Sequence, residues 1–195
     1  MRVAVAATLD ALPIAGVTGI DMPLGLIAAG WRDADLLARR ALGRRGASVF
    51  AIPPRTVLEC QSYPEANQAC RDLTGNGLSV QAWGLRRKIA EADEFRRRAA
   101  VPLYEVHPEL AFTALAGGVP LADSKHTKDG LAARRDLLAR SGVMLPRRAV
   151  GAAEDDLLDA AAVAWSAARI AAGHAVVLTN SGQRADDGSE IAIRY

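Results

Sequence analysis

Short apolar runs that alternate every second residue are interleaved, along this chain, with longer stretches whose apolar residues recur at helical spacing. A period of two buries one face of a strand, and a period near 3.6 buries one stripe of a helix, so the order of the two restricts the fold. Residues 2–7, 15–21, 49–52 and 101–106 read as strands, and 175–179 and 190–194 as a final pair about a turn at Asp187-Gly188. Between them, helical spacing covers residues 31–42, 81–98, 128–140 and 156–172, and a Ser62-Tyr63-Pro64-Glu65 capping box opens a further helix ending at Gly75. Strands alternating with helices predict an α/β chain with a mixed sheet flanked by helices. A length of 195 residues suits one domain with a substantial core.

Composition narrows the class. Half the residues are apolar and the net charge is +2, which excludes a disordered polyelectrolyte. No apolar run is long enough to span a membrane, and no signal peptide is evident. Cys60 and Cys70 make neither a disulfide framework nor a zinc site, so a cytoplasmic protein is expected. Of 24 basic residues only three are lysines: Lys88, Lys125 and Lys128. The arginine excess goes with an equal excess of alanine and reads as composition. The acids are more informative, because they gather in a few stretches.

Asp21 ends the strand at 15–21. Ligand sites of open α/β sheets lie at the carboxyl ends of strands, and a carboxylate there needs a hydrogen bond, a counter-charge or a metal. Asp21 could equally organise the Met22-Pro23 turn. Alternation along Tyr104-Glu105-Val106-His107-Pro108-Glu109 puts Glu105 and His107 on one strand face, either a site face or a solvent-facing edge. In Glu154-Asp155-Asp156-Leu157-Leu158-Asp159, Asp156 and Asp159 are neighbours on one helix face, and such a pair repels unless a cation lies between them. Hard oxygen ligands suit Mg²⁺ or Mn²⁺, although a solvated acidic helix start has the same sequence. Arg55, Lys125 and the shared face of Gln81 and Lys88 are sources of positive or polar contact.

In sequence order, several short motifs resemble the predicted RNase H-like nuclease family, a domain of unknown function numbered 429. They are Ile20-Asp21-Met22-Pro23-Leu24-Gly25-Leu26, Arg32 to Asp35, Ser48-Val49-Phe50, Arg55, Gln81-Ala82-Trp83 with Lys88-Ile89, Glu105-Val106-His107-Pro108-Glu109, Lys125, and Asp155-Asp156-Leu157-Leu158-Asp159-Ala160. The last is also similar to the final helix of RuvC-type resolvases. The resemblance implies an RNase H-like fold of one domain over 1–195, with a helical insertion over about 27–98. It also implies divalent-metal-dependent hydrolysis of a phosphodiester, with DNA or RNA as partner. Asp21, Asp156 and Asp159 would bind Mg²⁺ or Mn²⁺, Glu105 and His107 would complete the catalytic group, and Arg55, Gln81, Lys88 and Lys125 would face the substrate. Against the family pattern, the opening hairpin and its first acid are expected to be missing, leaving a strand edge that could pair with a second copy. The alternative is a non-catalytic binding or scaffold protein of the same fold.

Overall fold

The computed structural model describes residues 2–195, Ser181 by its backbone only. It is α/β, with helices packed on a mixed open sheet. In chain order the elements are β1 (Thr18–Ile20), α1 (Asp33–Leu42), α2 (Arg55–Leu58), α3 (Tyr63–Thr74), α4 (Val80–Gly84), α5 (Arg86–Arg98), β2 (Leu103–Val106), α6 (Pro108–Leu115), α7 (Lys128–Arg140), α8 (Glu154–Ala171), β3 (Val177–Arg184) and β4 (Glu190–Arg194). Two compact units result. One takes the chain up to Asp21, Ala100–Val176 and Arg194–Tyr195, and the other Met22–Ala99 with Val177–Ile193. Among the described residues no helix is long and apolar enough to cross a membrane.

In the first unit β1 and β2 pair in parallel, with Thr18, Gly19 and Ile20 opposite Leu103, Tyr104 and Glu105. Helix α8 lies on this pair, and the contact depends on Gly19. A Cβ there would stand 2.9 Å from Val163 Cγ1 and 3.1 Å from Val106 Cγ2. The missing side chain thus lets helix and strand approach closely. Ala111, Phe112, Leu138, Leu158, Ala161 and Ala162 form the core joining α6, α7 and α8. Sequence periodicity gives no sign of α6, because Pro108 reads as the end of a strand. In the structure Pro108 begins a helix, where a missing N–H and a fixed φ are no handicap.

The second unit holds α1–α5 and the β3–β4 hairpin. The Ser62 capping box forms as expected, with Glu65 N–H donating to Ser62 Oγ at 3.4 Å and Glu65 Oε2 accepting from Gln61 N–H at 3.1 Å. Gly75 closes α3 at φ 74°, in the left-handed region where a side chain is unfavourable. The helix expected over 81–98 is divided at Leu85, just after Gly84, into α4 and α5. Residues 49–52 are not a strand, although Val49 and Ile52 are buried. Side chains of α1 serve this backbone instead: Ile52 N–H donates to Asp35 Oδ2 at 2.9 Å, and Arg39 Nη1 donates to the Val49 carbonyl at 3.1 Å. Residues 2–7 are also irregular, with Val3 and Val5 exposed, because alternation alone supplies no partner strand. The final hairpin forms as expected, with a first strand longer than its apolar part.

Candidate acidic site at the end of β1

The Gly19–Val163 contact fixes where two acids fall. Asp21 follows β1 two residues after Gly19, and Asp159 precedes Val163 by one turn of α8. The Asp159 charge raises the pKa of Asp21, and Glu105, on the neighbouring strand opposite Ile20, adds to that repulsion. Glu105 and Asp159 are buried, 6% and 8% exposed. Asp21 is exposed by its accessible surface, although protein atoms crowd around its carboxylate. That crowding and then the Asp159 charge push its pKa up to about 7, with Lys125 opposing and Glu105 reinforcing the rise.

The opposing charge is Lys125, in the loop between α6 and α7. Its Nζ donates to Asp159 Oδ2 at 2.6 Å, and Asp155 and Asp21 also attract it. Burial pulls the lysine pKa down, but these acids outweigh burial and raise it. Asp159 is also raised, because its burial outweighs the help of Lys125. Its other oxygen, Oδ1, is buried and accepts no hydrogen bond among the described residues.

Beside Asp159 lies a second ion pair that sequence reading left out. Arg134 is fully buried and donates through Nη2 to Glu109 Oε1 at 2.6 Å, and through Nη1 to the carbonyls of Gly130 and Asp123 at 3.0 and 3.2 Å. Its guanidinium carbon stands 5.3 Å from the centre of the Phe112 ring. One signal existed: Arg134 is three residues after Leu131 and four before Leu138, on the apolar stripe of α7.

The other expected site residues are distributed as follows. His107 is half-buried at the start of α6. Asp156 is exposed, and its neighbour Asp155 is the residue whose charge reaches Lys125, four positions before Asp159. Gln81 and Lys88 are exposed on α4 and α5 of the second unit. Arg55, also in that unit, is engaged by two carboxylates: its Nη2 donates to Asp93 Oδ2 at 2.6 Å and its Nε to Asp186 Oδ2. Arg96 and Arg97 join this network, with Arg96 Nη2 donating to Asp187 Oδ2 at 2.6 Å and Arg97 Nη2 to Asp186 Oδ1 at 2.9 Å. Three guanidinium groups meeting three carboxylates tie the β3–β4 turn to α2 and α5.

Among the described residues, no group of three or more His, Cys, Asp or Glu side chains could hold a metal ion. A metal caged by protein ligands therefore does not fit. A magnesium-type ion asks less, since one or two carboxylates suffice when water and phosphate oxygens complete its shell. Asp21 and Asp159, one with an unpartnered buried oxygen, meet that lesser requirement.

An α/β protein with a partly compensated acid cluster at a strand's carboxyl end is the class that fold and site define. The chain belongs to the family described as Protein of unknown function (DUF429), whose model matches residues 1–183. No match is found among curated proteins or solved structures.

Proposed function

We propose that this protein is a divalent-metal-dependent phosphodiesterase of nuclease type, acting in the cytoplasm through Asp21, Glu105 and Asp159. The observation that carries the reading is the charge cluster at the end of β1: Asp159 pairs with the Lys125 ammonium, which Asp155 and Asp21 also attract, while Asp159 and Glu105 both act on Asp21. Burial is the first cause of the upward shift of Asp21, and the charges of Asp159 and Glu105 add to it while Lys125 opposes it. The resemblance of the Asp21 and Asp159 motifs to RNase H-like and RuvC-type nucleases supports the same chemistry.

In this reading Asp21 and Asp159 hold the ion, which when bound activates water and stabilises the leaving oxygen. Water adds to phosphorus as the ester P–O bond breaks, and the proton of water ends on the leaving oxygen. Glu105, buried beside Asp21, and His107, two residues further along the chain, orient the attacking water. Lys125 meets a non-bridging phosphate oxygen. Gln81 and Lys88 are exposed and available to a nucleic acid backbone. Arg55 serves its ion-pair network, and Asp156 stays in solvent. The substrate is DNA, RNA or a smaller phosphodiester.

Cleavage of single- and double-stranded DNA and RNA in Mg²⁺ or Mn²⁺ tests the proposal. Activity should be lost on chelation and in both Asp21→Asn and Asp159→Asn. Activity retained in either variant would sink it. The second reading, a non-catalytic binding protein, is favoured by the 2.6 Å Lys125–Asp159 pair in a cluster without three metal ligands. It predicts nucleic acid binding without turnover, unchanged in Asp21→Asn.

A further inference from the structure

Lys125 is held more firmly than a surface lysine in a loop. On one side of it, the Asp123 carbonyl accepts from the buried Arg134 Nη1 at 3.2 Å. On the other, Thr127 caps α7, its Oγ1 accepting from Gly130 N–H at 3.1 Å and donating to the Ser124 carbonyl at 2.9 Å. The loop packs so tightly on the helix start that a Cβ on Gly130 would lie 2.0 Å from the Ser124 oxygen. Buried side chain, helix cap and glycine contact together fix the backbone on both sides of Lys125. The ammonium is thereby delivered to Asp159 Oδ2, while Oδ1 of the same carboxylate accepts no hydrogen bond among the described residues.

We infer that Lys125 is the resident cation of this site, doing for Asp159 what a second divalent ion would do, so that the site takes one divalent ion rather than two. The inference rests on the proposed metal-dependent reading and specifies its stoichiometry. A fixed ammonium gives Asp159 Oδ2 a positive partner at 2.6 Å without a second metal. It also repels any ion approaching Oδ2, which leaves Asp21 and the buried, unpartnered Oδ1 as the ligands on offer. Charge sets this preference, so arginine should preserve it and a neutral side chain should not.

The test is Mn²⁺ binding by calorimetry and electron paramagnetic resonance, on the full chain without substrate, for wild type, Lys125→Met and Lys125→Arg. Wild type and Lys125→Arg should bind a single ion. Lys125→Met should bind a further ion, or bind one at least about tenfold more tightly, as expected when a like charge at contact distance is removed from a partly screened site. Lys125→Gln carries the same expectation and replaces the methionine variant if that one misfolds. Two ions in wild type, or neutral variants that gain neither an ion nor affinity, would overturn the inference. Loss of the phosphodiesterase reading shows separately, as absence of metal-dependent cleavage by wild type.

Discussion

Val163 packs directly on the bare backbone of Gly19, so closely that a Cβ on the glycine would stand 2.9 Å from Val163 Cγ1. The same contact sets helix α8 on strand β1 at the height that brings Asp159 to Asp21. Gly19→Ala should therefore destabilise the protein by about 1–3 kcal/mol, the usual cost of overpacking. Adding Val163→Ala should recover part of that loss. Denaturant unfolding of the four members of the cycle measures the coupling.

Asp21 gives a pH dependence of definite sign. Its folded pKa, about 7, lies above the ordinary 3.8, so the native state holds the proton more tightly than the unfolded chain does. Its contribution to stability is therefore complete below about pH 4 and is lost as pH rises through about 7. Asp21→Asn should match wild type near the lower limit and melt higher above the upper one. Because the side chain is partly open to solvent, the gain should be modest. Roughly 2–4 °C is the shift that 1 kcal/mol gives in a chain of this size. Melting curves across that range check both sign and size.

The Glu109–Arg134 pair is buried on both sides, and removing one partner takes from a buried charge its counter-charge at 2.6 Å. Arg134→Met should cost about 3–5 kcal/mol, and Glu109→Gln with Arg134→Met together should cost less than the arginine change alone. Because Arg134 also holds the Asp123 carbonyl, proteolysis in the loop before α7 should quicken in the single variant.

Asp93 organises the arginine network of the second unit. It is 3% exposed by side chain and accepts from Arg55 at 2.6 Å, from Arg96 at 3.0 Å and from Arg97 at 3.1 Å. Burial works against its charge, but the hydrogen bonds from Arg55 and Arg96 outweigh it and its pKa is lowered. This stability is present above the ordinary carboxylate range and is lost as pH falls through the lowered value. Asp93→Asn should cost about 3 kcal/mol at neutral pH, at the low end for breaking a buried pair, and the gap from wild type should narrow in acid. Chemical denaturation at neutral pH and near pH 3 would show whether it does.

Features encoded over a few neighbouring residues were legible in the sequence. Ser62 and Glu65 start α3 and Gly75 ends it, and α7 occupies the stretch its spacing predicts. Asp21 and Asp159 stood out as acids at the end of a strand and inside a helix. Residues 2–7 and 49–52 misled because alternation records which side chains are apolar, not whether a partner strand exists. For 49–52, Asp35 and Arg39 took the backbone groups that a sheet would have paired. Pro108 misled because one residue type can end a strand and begin a helix.

By itself, then, the sequence determined the α/β order of elements and the acids that chemistry could use, since propensity, capping and periodicity act within a few turns of chain. Only the tertiary structure decided which of those charges meet. It set Lys125 against Asp159, brought Asp155 into the charge cluster in place of Asp156, buried Arg134 on Glu109, and drew Arg55 into a network with Asp93 and Asp186. Coulombic and hydrogen-bond energies depend on distances of a few ångströms between residues far apart in the chain, and no local pattern carries that information.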